Sequence, residues 1–134
     1  MATILVVDDF EDSRFSLCRL LELSGYTVLE ATDGLEAIEM AVGSAPDLVI
    51  MDVSLPEVDG ITATERIRAS EGVRQMPIVA LSAHDTESYQ QRAIAAGCQA
   101  YMTKPVDFAD LESLIERVLR DAGAEGSSRS GSGG

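Results

Sequence analysis

Apolar residues along this chain alternate between short continuous runs and longer stretches in which they recur at helical spacing. Ile4–Val7, Tyr26–Leu29, Asp47–Met51, Pro77–Leu81 and Ala100–Met102 are runs of the strand type. Between and after them, helical spacing joins Leu17, Leu20 and Leu21, then Leu35, Ile38 and Val42, then Ile61, Thr64 and Ile67. Ile94 marks a fourth such stretch, and Leu111, Leu114, Ile115 and Val118 a fifth. The order is therefore βαβαβαβαβα. Asp33 with Glu36, and Asp107 with Asp110, read as helix N-terminal signals, while Gly25 and Gly97 stop the first and fourth helices.

The first, third and fourth strands are apolar almost without interruption, which predicts burial on both faces and hence parallel pairing between helical layers. The expected fold is α/β and doubly wound, a (βα)5 chain with a five-stranded parallel sheet; if its order is 2-1-3-4-5, strands one and three are neighbours at the switch point. At 134 residues and 46% hydrophobic content the chain suits one domain, assigned to residues 1–122. Residues 123–134 are Gly/Ser-rich, bury nothing, and are expected to be a flexible tail. That tail is compatible with a native terminus, an interdomain linker or an expression scar.

Composition narrows the function. A formal charge of −13 opposes direct binding of nucleic acid or an anionic membrane surface. No apolar stretch approaches the roughly 20 residues that span a bilayer, and no basic n-region opens the chain, so a cytoplasmic location is expected. Cys18 and Cys98 have no metal-type spacing and read as small apolar residues.

In a parallel sheet with right-handed crossovers every strand end opens on one rim. Asp8 and Asp9 follow the first strand, Asp52 the third, Ser82 the fourth and Lys104 the fifth. Lys104 is the sole lysine beside nine arginines, a point charge on a flexible stem where an arginine would present a rigid fork. With strands one and three adjacent, three carboxylates crowd one crevice, and each ionised pair at about 4 Å costs about 4 kcal/mol at an effective dielectric near 20. Positive charge is required there. Mg²⁺ suits the oxygen ligands, and Lys104 has the reach to cross the roughly 10 Å from strand five to strand three.

Val6-Val7-Asp8-Asp9, Val49-Ile50-Met51-Asp52 with Leu55-Pro56 and Asp59-Gly60, Leu81-Ser82-Ala83 and Tyr101-Met102-Thr103-Lys104-Pro105 together resemble the CheY-like receiver domains of two-component response regulators. The resemblance spans roughly residues 2–121 and rests on separated motifs in the right order. It implies a flavodoxin-like fold and a phosphoacceptor at Asp52, charged by a sensor histidine kinase, a histidine phosphotransfer protein or a small donor such as acetyl phosphate. It further implies Mg²⁺, replaceable by Mn²⁺, on Asp9, Asp52 and the main-chain carbonyl of Ser54, with Asp8 acting mainly through water. Ser82 would donate its hydroxyl to a phosphoryl oxygen, Tyr101 would be the switch aromatic, and Pro105 would follow a cis peptide after Lys104.

The resemblance also implies an output face on helix four, strand five and helix five, with Tyr89, Arg92, Ala93 and Ala96 as contributors, toward a partner it does not name. Dimerisation on phosphorylation stays open. Ser54 and His84 would flank the path of attacking water and tune dephosphorylation; His84 also reads as a plain loop residue or a phosphodonor. Phe15, off the apolar stripe, is either an exposed contact for the kinase or folded onto the core. The implied protein is a signalling receiver that catalyses only its own phosphorylation and dephosphorylation.

Three rivals share parts of this pattern. A haloacid-dehalogenase-like phosphatase needs Asp-x-Asp after the first strand, where this chain has Asp8-Asp9. A receiver-like interaction module without phosphorylation would not need Asp8, Asp9, Asp52, Ser82 and Lys104 together. A flavodoxin-like FMN binder would need a phosphate loop after the first strand, which is missing from the sequence.

Overall fold

A computed structural model describes residues 2–52, 60–70, 76–82 and 87–130, with the side chains of 87–89 and 122–130 left aside. Five strands and five helices alternate along it: β1 Thr3–Val7, α1 Glu11–Leu23, β2 Thr27–Ala31, α2 Gly34–Ser44, β3 Leu48–Asp52, α3 Gly60–Ala69, β4 Ile78–Ser82, α4 Glu87–Ala96, β5 Ala100–Thr103 and α5 Phe108–Ser130. The strands form one sheet in the order β2-β1-β3-β4-β5, every pair parallel. This is the flavodoxin-like arrangement expected from the sequence.

Strand side chains alternate between two apolar layers, because successive residues of a pleated strand point to opposite faces. Ile4, Val6, Leu48, Ile50, Val79 and Leu81 meet Cys18 and Leu21 of α1 and Leu111, Ile115 and Val118 of α5. Leu5, Val7, Val49, Met51, Ile78 and Ala80 meet Ala37 and Ala41 of α2, Ala63 and Ile67 of α3, and Ala93 and Ala96 of α4. Burial on both sides accounts for the unbroken apolar runs.

Helical spacing placed the large apolar residues of α1, α2 and α4 less well. Leu20, Leu35, Val42 and Ile94 are exposed, and Cys18, Ala37, Ala41 and Ala93 take the core positions. Small residues let a helix axis lie close to the sheet, so the bulky neighbours are turned to the flanks. Ala93 and Ala96 are therefore buried and cannot form part of an exposed output face, whereas Arg92 is exposed.

Local signals set the helix ends. The Asp33 carboxylate accepts the Glu36 amide at 2.8 Å, and Glu36 reaches back to accept the Thr32 amide, a reciprocal cap that opens α2. Asp107 accepts the Asp110 amide at 3.1 Å at the start of α5. After α4, Gly97 adopts φ +118°, and a Cβ there would fall 2.7 Å from Nε of Arg68. The Arg68 guanidinium, on α3, donates to the Gly97 carbonyl and to Oε1 of Gln99, which also accepts the Ile78 amide. One side chain thus joins α3, the α4–β5 turn and the start of β4. The backbone of α5 continues as helix through residues 123–130, where composition led us to expect a flexible tail.

Cys18 and Cys98 are buried free thiols. Burial first, then the charges of Glu30 and Glu22, push the Cys18 thiol up to about 12. Burial also raises Cys98, opposed by its hydrogen bond with Thr64. A folded-state pKa above the unfolded value means this stabilisation is complete below the unfolded thiol pKa of roughly 8.5 and is lost as pH climbs through the folded value. Both thiols should accordingly react with Ellman's reagent at pH 8 far more slowly in the folded chain than in urea. Replacing the fully buried Ile115 by Ala should lower unfolding free energy by about 2–5 kcal/mol, read from urea denaturation, since it empties the layer between α5 and the sheet.

Candidate functional site

The carboxyl edge of the sheet gathers the charged residues. Asp52 and Ser82 are the last residues of β3 and β4 rather than the first beyond them, and Lys104 directly follows β5. Two backbone bonds extend the ladders past the strand ends: the Asp8 amide donates to the Ala31 carbonyl at 3.1 Å, and the Lys104 amide to the Ser82 carbonyl at 2.7 Å. Loop residues are thereby held in sheet register. Strand alternation puts Asp8 (after Ile4 and Val6) and Asp52 (after Leu48 and Ile50) on the α1/α5 side. Ser82 shares the parity of Ile78 and Ala80, and Tyr101 packs half-buried against that other layer, toward α2, α3 and α4.

Asp8 and Asp52 are 3% and 4% exposed, whereas Asp9 is open to solvent. One carboxylate oxygen from each of Asp8, Asp9 and Asp52 can be chosen so that all lie within 4.8 Å of one another. Nζ of Lys104 donates to Oδ2 of Asp52 at 3.0 Å and to Oδ2 of Asp8 at 3.5 Å. Burial works against the Lys104 charge, but the hydrogen bond and charge of Asp52, then those of Asp8, outweigh it and hold its pKa above the ordinary lysine value. The ammonium is therefore charged at neutral pH. The Lys104–Pro105 peptide is cis.

Asp8 has further partners that sequence reasoning missed. Its Oδ1 accepts the Phe10 amide at 2.9 Å and its Oδ2 the Ser13 hydroxyl at 2.8 Å. Its carbonyl accepts Nη1 of Arg14 at 2.9 Å, and Nε of the same guanidinium lies 2.9 Å from Glu30 on β2. Apolar spacing assigns no role to Ser13 or Arg14; their placement five and six positions after Asp8, in the first turn of α1, was the available signal.

One lysine facing three carboxylates leaves excess negative charge, and the donors are all oxygens. That set fits a hard divalent cation such as Mg²⁺. These residues lie in a cleft of about 720 Å³ that extends between α1 and the β5–α5 connection, where Phe10, Leu17, Leu20, Val106 and Phe108 wall it. Phe15 is 64% exposed on α1. Ser54 and His84, with Leu55, Pro56, Asp59 and Ala83 of the sequence motifs, lie outside the described residues, as does the side chain of Tyr89.

Known proteins share this fold. The family model described as "Response regulator receiver domain" matches residues 4–116. The polar-differentiation response regulator DivK of Brucella ovis is 33% identical over 120 residues, covering 90% of this chain and 98% of its own. Among solved structures, the chemotaxis protein CheY4 of Vibrio cholerae aligns with TM-score 0.83 at 30% identity, covering 88% of this chain and 98% of that one. The receiver domain of a sensor histidine kinase of Pseudomonas aeruginosa, with a magnesium ion coordinated in its active-site cleft, aligns with TM-score 0.83 at 33% identity over 88% and 97%. Sheet order, the acidic crevice and the matched length agree, and the chain belongs to the response regulator receiver domain family of two-component systems.

Proposed function

We propose that this chain is a phosphoacceptor switch of a two-component or phosphorelay system and that Asp52 is the residue phosphorylated. The observation that carries this reading is the 3.0 Å contact of Lys104 with a buried Asp52 whose carboxylate also closes the acidic crevice. A carboxylate oxygen of Asp52 attacks the phosphorus of a phosphohistidine on a histidine kinase or phosphotransfer protein. The P–N bond breaks, the imidazole leaves, and an acyl phosphate remains on Asp52. Positioning and charge neutralisation are the main demands of phosphoryl transfer. Asp9, Asp52 and the Ser54 carbonyl, with Asp8 acting mainly through water, would hold Mg²⁺ or Mn²⁺, which when bound neutralises phosphoryl oxygens.

Lys104 supplies a second positive charge, and Ser82 a hydroxyl to a phosphoryl oxygen. Exchanging the Lys104–Asp52 contact for one with the phosphoryl group biases an equilibrium that Ser82 and Tyr101 report to the α4–β5–α5 face and its partner. Ser54 and His84 tune how long the phosphoryl group survives. Residues 1–122 are the working unit, in the cytoplasm, and its chemistry is confined to its own phosphorylation and dephosphorylation.

Intact-mass analysis after acetyl phosphate and Mg²⁺ should show one added phosphoryl group, with none after Asp52→Asn or in excess EDTA. Equal labelling of Asp52→Asn would move the acceptor elsewhere. Lys104→Arg keeps the charge but replaces a compact ammonium by a planar fork. In that variant the amide shifts of Tyr101 and α5 should respond weakly or not at all to phosphorylation, and a response equal to wild type would remove Lys104 from the switch.

A further inference from the structure

The first turn of α1 contacts the acidic crevice more closely than strand ends alone require. Asp8 is 3% exposed, and each of its carboxylate oxygens already accepts a protein donor: the Phe10 amide on Oδ1, and the Ser13 hydroxyl with the more distant Lys104 on Oδ2. Its peptide carbonyl is held separately by Arg14, whose guanidinium is braced on Glu30 of β2. Asp9, one residue on, is exposed. Neighbouring acidic residues thus have opposite surroundings, one clamped at the side chain and main chain and the other open.

We propose that Ser13 and Arg14 are positioning residues that set the divalent-cation affinity of the crevice by holding Asp8 in a fixed orientation beside Asp9. Ser13 fixes the carboxylate; Arg14 fixes the peptide from which Asp9 departs. Hydrogen-bond partners behind a metal-binding group raise affinity because the group need not be ordered when the ion arrives. The family resemblance has Asp8 acting on the cation mainly through the water shell that Mg²⁺ readily keeps, with Asp9 and Asp52 coordinating directly. The bonds from Phe10 and Ser13 would hold the Asp8 carboxylate in place for that role. Arg14 can do this because its Nε and Nη1 serve two acceptors at once, on β2 and on the β1–α1 connection. A lysine offers a single nitrogen and cannot span both.

The inference rests on the cation-dependent phosphoacceptor reading above, and Mg²⁺ titration of the full chain without any phosphodonor separates the two. Amide shifts of Asp9 and Lys104 report Kd, and urea midpoints in EDTA report stability. Ser13→Ala and Arg14→Ala should each weaken Mg²⁺ binding about tenfold, the lower end of the effect of losing such partners. Ser13→Thr, which keeps the hydroxyl, should restore binding to within about twofold, whereas Arg14→Lys should not. A purely structural role would lower the urea midpoint and leave Kd unchanged. Wild-type binding with both alanine variants equal to it overturns the proposal while sparing the site reading. Absence of any Mg²⁺ response in the wild type overturns that reading and the proposal with it. If Ser13→Ala fails to fold, the Arg14 pair tests the same clamp from its other end.

Discussion

Crowding of Asp8, Asp9 and Asp52 at one end of a parallel sheet is the constraint from which the rest of the site follows. Carboxylates this close repel by several kcal/mol when partly shielded from water, so the fold must keep positive charge or hydrogen-bond donors beside them. Lys104 answers from β5, two strands away from β3, and the long reach of a lysine stem is what makes that geometry possible. The Phe10 amide and the Ser13 hydroxyl answer from the other side. Asp52 and Lys104 are therefore already in contact, so under the proposed function phosphorylation would replace an existing ion pair instead of building a site.

That starting contact links the chemistry to the two layers of the fold. Asp8 and Asp52 continue the strand faces packed against α1 and α5, while Ser82 continues the face packed against α2, α3 and α4. A phosphoryl group on Asp52 would thus sit at the boundary between layers. Under the proposed function, rearrangement of Lys104 and Ser82 about it would be a route by which charge on one face changes packing on the other. Tyr101 is half-buried against that α2/α3/α4 layer.

The cleft that holds the acidic residues also has an apolar part. Phe10, Leu17, Leu20, Val106 and Phe108 give it apolar walls, although the chain as a whole carries a charge of −13. Exposed apolar residues on α1 next to a buried acidic centre reconcile two requirements. The Asp52 carboxylate is kept largely dry, and the surface around it is not uniformly charged.

The alternation of runs and helical stretches sufficed to determine the element order, the parallel sheet and the rim on which Asp8, Asp9, Asp52, Ser82 and Lys104 meet. Each of those inferences depends only on local periodicity and the fixed hand of the crossover. Spacing could not tell which apolar residue of a helix faces the sheet when small and large ones both lie near the stripe, so Ala37, Ala41 and Ala93 were underrated and Leu20, Leu35 and Val42 overrated. Nor could it show that Ser13 and Arg14 turn back on Asp8, or that Arg14 is braced by Glu30 sixteen residues further on. Those contacts arise where a helix, a loop and a neighbouring strand converge. Periodicity records which side of an element is buried, and only tertiary structure decides which polar groups become partners there.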